Sequence, residues 1–184
     1  ILFKLKLFLA YLFKSDCIRK NIYNVSRSKK LIISHLKKIG FLNAKISFLD
    51  HHLCHISAGY YCSDFPKNKK ILAISSDGSG DNLSGSVYVC KNNILSRLSF
   101  TKRSASLGKI YSRVTALLGF KPWEHEYKIM GMAPHANYKL SKSLKERVFD
   151  KLIAVDKKSL KLVLKSKLSM NYCYKYLAEN LEGE

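Results

Sequence analysis

The residues most able to do chemistry lie in LDHHLCHISAGYY, residues 49–61, and in the apolar run ILAISSDGSGD, residues 71–81. His51 and His55 stand four apart, so a helix over residues 51–58 turns both imidazoles to one face. Two neutral imidazoles and one carboxylate make a divalent-metal site with positions left for water or substrate. Asp77, closing the apolar run, is the carboxylate that fits. This donor set suits Fe(II), and Zn(II) or Mn(II) is chemically tolerable. The expected chemistry is Lewis-acid work, polarising a carbonyl or lowering the pKa of a hydroxyl. His52 is turned about 100° from His51 around a helix, so it is not an equal ligand; its position suits orienting a substrate or packing.

Two weaker constellations accompany the triad. Gly78 and Gly80 in DGSGD could form a phosphate-binding turn, because glycine turns expose backbone N–H groups. Asp77 and Asp81 oppose a bare phosphate, which leaves a metal or a metal-phosphate as the better partner and a plain strand-to-strand turn as the alternative. In EYKIMGMA, Glu126 and Lys128 are two apart and cannot share a helix face. At a helix start Lys128 could meet a phosphate or carbonyl oxygen, with Gly131 permitting close approach. A surface ion pair beside a Met-lined turn is the equal alternative.

Hydrophobic periodicity supplies the elements that must position these groups. An apolar helix is expected over residues 5–21. A second is expected over 28–38, where Leu31, Ile32, Leu36 and Ile39 oppose lysines and Gly40 provides the stop. Residues 44–49 read as a short strand leading into the histidines. Strands are expected at 71–76, 85–90 and 94–100, the first pair joined by the glycine-rich DGSGDNLSG and the second by a turn at Lys91-Asn92-Asn93. A helix over 107–118 ends at Gly119, and another from 124 breaks at Pro134. Residues 142–155 and 158–168 read as amphipathic basic helices. The order implies an α/β domain with a mixed, partly antiparallel sheet flanked by helices.

Composition narrows the function classes. With 184 residues and 47% hydrophobic content the chain can fill one sizeable core. Its net charge of +20 comes mostly from scattered lysines, with few arginines to read phosphates or bases, so nucleic acid is not the expected partner. Five dispersed cysteines with no CxxC pair fit neither a zinc ribbon nor a disulfide framework and point to a reducing cytoplasm; Cys54 reads as a packing residue. The opening ILFKLKLFLAYLF is shorter than a membrane span and lacks a small-residue cleavage site, so a packed helix is preferred to a signal peptide. The chain starts at Ile1 and stops at Glu184, and both ends are expected to be cuts.

DHHLCHISAGYY, SSDGSGD, SLGKIYSRVTALLGF and EYKIMGMAP, in this order over residues 47–136, together resemble the carbamoyltransferase family that includes nodulation and antibiotic O-carbamoyltransferases. The resemblance implies the first half of an actin-like domain of the sugar kinase and heat-shock ATPase superfamily. It would occupy residues 29–184 behind a helical segment at 1–28, with an adenylate-forming domain further along the chain. The implied chemistry is ATP-dependent conversion of carbamoyl phosphate to a carbamoyl adenylate, then transfer to a hydroxyl or amine at an iron-type centre. The family's metal ligands fall on His51, His55 and Asp77; a further aspartate belongs to the second half of the fold. Implied partners are a small-molecule acceptor and the C-terminal remainder of the chain, with a homodimer allowed. The chain departs from the family at His135-Ala136, usually an aromatic-glycine pair, and at Lys109, usually apolar. A tRNA threonylcarbamoyl transferase-like protein and a non-catalytic basic binding module are the alternatives.

Overall fold

The structure, a computed structural model, describes residues 25–181. The helix expected over residues 5–21 lies outside the described residues, as does most of the segment expected at 1–28. The chain divides into two compact units, Ile1–Asp50 and His51–Glu184.

In the first unit, helix α1 spans Val25–Lys38. His35, Lys37 and Lys38 in its last turn complement the negative end of the helix dipole. The helix stops where expected. Gly40 adopts φ +105°, and the Phe41 N–H returns to the Leu36 carbonyl at 3.0 Å. Residues 44–49 are not the expected strand. Alternating apolar residues need a neighbouring strand to satisfy their backbone, and no described residue pairs with them.

The second unit opens with helix α2, His51–Tyr61, followed by an antiparallel meander of β1 (Ile71–Gly80), β2 (Leu83–Lys91) and β3 (Ile94–Lys102). Every described strand pairing is antiparallel, which corrects the expected mixed sheet. The Asn92–Asn93 turn sits where the sequence puts it. The first connection does not. Asp81 and Asn82 both adopt positive φ (48° and 65°) and close a two-residue loop flanked by the Gly80–Leu83 pair. Short polar residues that tolerate the left-handed region make that turn by themselves, so Gly78 and Gly80 lie inside β1. Four steps along β1, from Ser76 to Gly80, face two along β2, from Gly85 to Leu83. This irregularity pushes the backbone around Asp77 out of the ladder.

Helix α2 lies on one face of the meander. His52, Ile56 and Tyr60, spaced four apart, are its buried residues, and Ile56 and Tyr60 pack with Tyr88 and Cys90 of β2. Leu53, Ile71, Ala73 and Leu95 close this core. Tyr60 also accepts the Asn93 N–H and reaches the Lys67 carbonyl, tying the helix end to the hairpin.

Helix α3, Leu107–Leu117, starts a second core with Ala105, Ile110, Val148, Leu152, Ile153, Met170, Cys173 and Leu177. Helices α4 (Glu126–Met132), α5 (Tyr138–Arg147) and α6 (Tyr174–Leu181) follow, with strands β4 (Ile153–Asp156) and β5 (Lys161–Leu164) between the last two. These strands correct the basic helix expected over 158–168 and shorten the one expected over 142–155, of which residues 142–147 lie in α5. Asp156 accepts the N–H groups of Lys158 and Ser159, and Leu160 adopts φ +49°, turning the chain into a hairpin. β-branched Ile153, Val155 and Val163 favour that state over a lysine-faced helix. Among the described residues no helix is long and apolar enough to cross a membrane.

Ile56 is 3% exposed at the centre of the α2–sheet contact. Ile56→Ala should therefore lower unfolding free energy by about 2–5 kcal/mol, measured by urea denaturation of the full chain. A loss below ~1 kcal/mol would mean that this contact is not well packed.

Candidate metal centre

The contact between α2 and β1 assembles the site. His51 opens α2, and the Asp81 carboxylate, from the turn after β1, accepts the His51 backbone N–H at 2.9 Å. That bond caps the helix and fixes its first turn beside the strand end. Gly80 makes the close approach possible, since a Cβ there would lie 2.0 Å from Cδ2 of the His51 ring. Its role in the structure is to admit an imidazole.

On the other side, Ser106 caps α3. Its hydroxyl accepts the Lys109 N–H at 3.1 Å and donates to the Gly78 carbonyl at 2.8 Å, with the Asp77 carbonyl at 3.2 Å. Gly108 is required there, because a Cβ would come within 3.0 Å of the Gly78 backbone. Asp77 is thus held between the start of α2 and the start of α3.

The result is a tight triad. His51 Nε2 lies 2.7 Å from Asp77 Oδ2, His55 Nε2 lies 3.1 Å from His51 Nε2, and His55 Nε2 lies 3.9 Å from Asp77 Oδ2. The three donor atoms fall within 4.8 Å of one another. Donors about 2.0–2.2 Å from one shared cation are separated by distances of this order, so the set fits a divalent metal. Side-chain exposures of 40% for His51, 53% for His55 and 36% for Asp77 leave the cluster open on one side. Burial pushes the Asp77 carboxyl upward, but the His51 hydrogen bond, the Gly78 N–H and the charges of both imidazoles outweigh it. Its pKa lies below the ordinary value, which favours the ionised, ligating form.

His52 behaves differently. It is fully buried, with Nδ1 3.0 Å from Ser75 Oγ, and Ser75 Oγ lies 2.7 Å from Ser86 Oγ. Its ring meets His51 edge-on at 5.3 Å between centroids. It is enclosed behind the triad rather than presented to a substrate, so it is a positioning residue. Cys54 is exposed, not packed as expected.

The weaker candidates are spread out. The Glu126 carboxylate is already engaged: Oε1 accepts the Trp123 N–H at 2.7 Å and the Ser112 hydroxyl at 3.0 Å. It anchors a loop in which Trp123 adopts φ +69°, rare for a bulky residue. Lys128 extends over Phe120 and Tyr127, at 5.6 and 5.9 Å from the ring centroids. A Cβ on Gly131 would meet nothing within 4 Å, so no close approach depends on it. Sequence reasoning missed Asp81 and Ser106 as positioning residues. Asp81 was visible as a turn former, but its bond to His51 spans thirty positions.

Comparison with known proteins gives the family. Residues 10–180 match the carbamoyltransferase N-terminus family, well beyond the half of the chain that carries the motifs. The chain belongs to the carbamoyltransferase family. An uncharacterized protein of Methanocaldococcus jannaschii is 37% identical over 94 residues, covering 51% of this chain and 18% of that relative. Nodulation protein NolNO of Sinorhizobium fredii is 32% identical over 109 residues, 59% of this chain and 15% of the relative. Nodulation protein NolO of Bradyrhizobium diazoefficiens is 32% identical over 89 residues, 48% and 16% respectively. In each case the match spans less than a fifth of the relative's length.

Two outcomes follow. Gly80→Ala forces the His51 ring aside, so Co(II) or Zn(II) affinity, measured by calorimetric titration, should fall at least ~10-fold with little change in circular dichroism. Unchanged affinity would remove His51 from the ligand set. For Glu126, burial raises the carboxyl pKa, but the Trp123 N–H, its own N–H and the Ser112 hydroxyl lower it further, leaving it below the ordinary value. The depressed folded value makes its stabilisation complete above the ordinary carboxylate pKa and lost as pH falls through the folded one. The Tm difference between wild type and Glu126→Gln should therefore be largest near neutral pH and vanish in acid.

Proposed function

We propose that this chain provides the metal-bearing part of an ATP-dependent carbamoyltransferase built on an actin-like fold. The enzyme moves the carbamoyl group of carbamoyl phosphate, through a carbamoyl adenylate, to a hydroxyl or amine acceptor. The single observation that carries the reading is the convergence of His51, His55 and Asp77 on one open point within a chain of this family. His51, His55 and Asp77 would hold the metal, Fe(II) by the donor set. When bound, the metal supplies Lewis-acid polarisation of the carbamoyl carbonyl.

The chain's own residues have defined tasks in this scheme. Asp77 stays ionised beside the two imidazoles and balances cationic charge. Asp81 and Gly80 fix the start of α2, and with it the direction of the His51 ring. His52, bonded to Ser75, backs the cluster from the buried side. Ser106 holds the Asp77–Gly78 backbone against α3. Open faces of His51 and His55 leave room for a substrate from the solvent side. The family match weighs for carbamoyl transfer over threonylcarbamoyl transfer to tRNA.

The test uses the full-length enzyme, assayed with ATP, carbamoyl phosphate and a panel of hydroxyl and amine acceptors. His51→Ala with His55→Ala should abolish metal uptake, measured by elemental analysis. Transfer should fall by at least ~10³-fold, with circular dichroism unchanged. His52→Ala should reduce transfer less than either single ligand change. Full activity in the double variant would overturn the metal-centre reading and favour a non-catalytic module.

A further inference from the structure

Lys109 follows directly on Gly108, the residue whose backbone abuts Gly78, so the first turn of α3 carries a lysine to the edge of the triad. Its ammonium lies 5.5 Å from the ring centroid of Trp123. Arg113 stands one helical turn on, on the same face of α3, and is 7% exposed. Arg103 stands in the short turn just before the Ser106 cap. Burial lowers the Lys109 pKa, and the charges of Arg113 and Arg103 lower it further, while Asp77 opposes them. Lys109 therefore lies within electrostatic reach of Arg113, Arg103 and Asp77.

Among the described residues Lys109 forms no ion pair with a carboxylate. Asp77, the acidic neighbour, is occupied by His51 at 2.7 Å. A half-buried ammonium with no carboxylate partner is unfavourable unless an anion completes it. Trp123 supplies the wall. Its strained backbone is held by Glu126, and a Lys121–Glu124 ion pair of 2.5 Å braces the same loop.

We propose that Lys109, with Trp123 as its wall, forms an oxyanion subsite adjoining the His51–His55–Asp77 cluster. The ligand is a phosphoryl or carboxylate group of a substrate bound at that cluster. The inference rests on the carbamoyl-transfer reading for which substrate carries the anion, but the binding itself needs neither metal nor turnover.

Trp123 is the chain's one tryptophan and lies against the Lys109 ammonium, so its fluorescence reports directly on this subsite. The metal-free full chain would be titrated with inorganic phosphate, and separately with acetate, at constant ionic strength. A saturable change in Trp123 emission is expected with one of them. The Kd should weaken at least ~10-fold in Lys109→Met, recover in Lys109→Arg and stay unchanged in Lys145→Met. Preference for phosphate assigns the subsite to a phosphoryl group of the donor or nucleotide, and preference for acetate assigns it to an acidic acceptor. No saturable response to either anion, or equal affinity in Lys109→Met, would overturn the subsite. Loss of metal binding without loss of this response would instead count against the carbamoyl-transfer reading alone.

Discussion

The seating of α2 on the meander is the constraint on which the rest of this site depends. Ile56 and Tyr60 bury against Tyr88 and Cys90, and that apolar contact sets the helix height and rotation. Once the helix is seated, His51 and His55 have little choice of direction, because four-residue spacing keeps them on one face. The Asp81 cap then sets where the helix begins. A displacement of one residue along α2 would turn both imidazoles about 100° away from Asp77 and dissolve the triad.

The strand pays for this arrangement with its own regularity. Between Ser76 and Gly80 the ladder to β2 is irregular, and Asp77 sits in that interval. The irregularity frees the carboxylate from sheet alternation and lets Gly78 lie against Gly108. Ser106 then secures the displaced backbone by bonding to the Gly78 carbonyl. Two glycines in this neighbourhood have separate reasons to be small. Gly80 admits the His51 ring, and Gly108 admits a passing backbone.

Charge divides the site into two characters. On the α2 side, imidazoles face a carboxylate held ionised below its ordinary pKa. On the α3 side, Lys109 and Arg113 share a helix face behind the same aspartate. Cationic and anionic side chains are therefore set side by side around Asp77. The other basic residues are largely remote from this division. The lysines of α5 and of the β4–β5 hairpin are mostly exposed.

The sequence by itself determined the local features: the helical spacing of His51 and His55, the Asn92–Asn93 turn, the stops at Gly40 and Gly119, and the motifs that carry the family. Each depends on neighbours within a turn or two, where residue type governs backbone choice. It misread residues 153–155 and 158–168, because lysines at solvent positions mimic a helix face whatever the backbone does. Only Asp156 and Leu160 turn that stretch into a hairpin. Tertiary structure alone decided that His52 is enclosed, that Glu126 braces the Trp123 loop, and that Gly80 makes room for the His51 ring. Those outcomes arise from contacts between residues far apart in the chain, and no local periodicity encodes which distant atom will occupy the space beside a glycine.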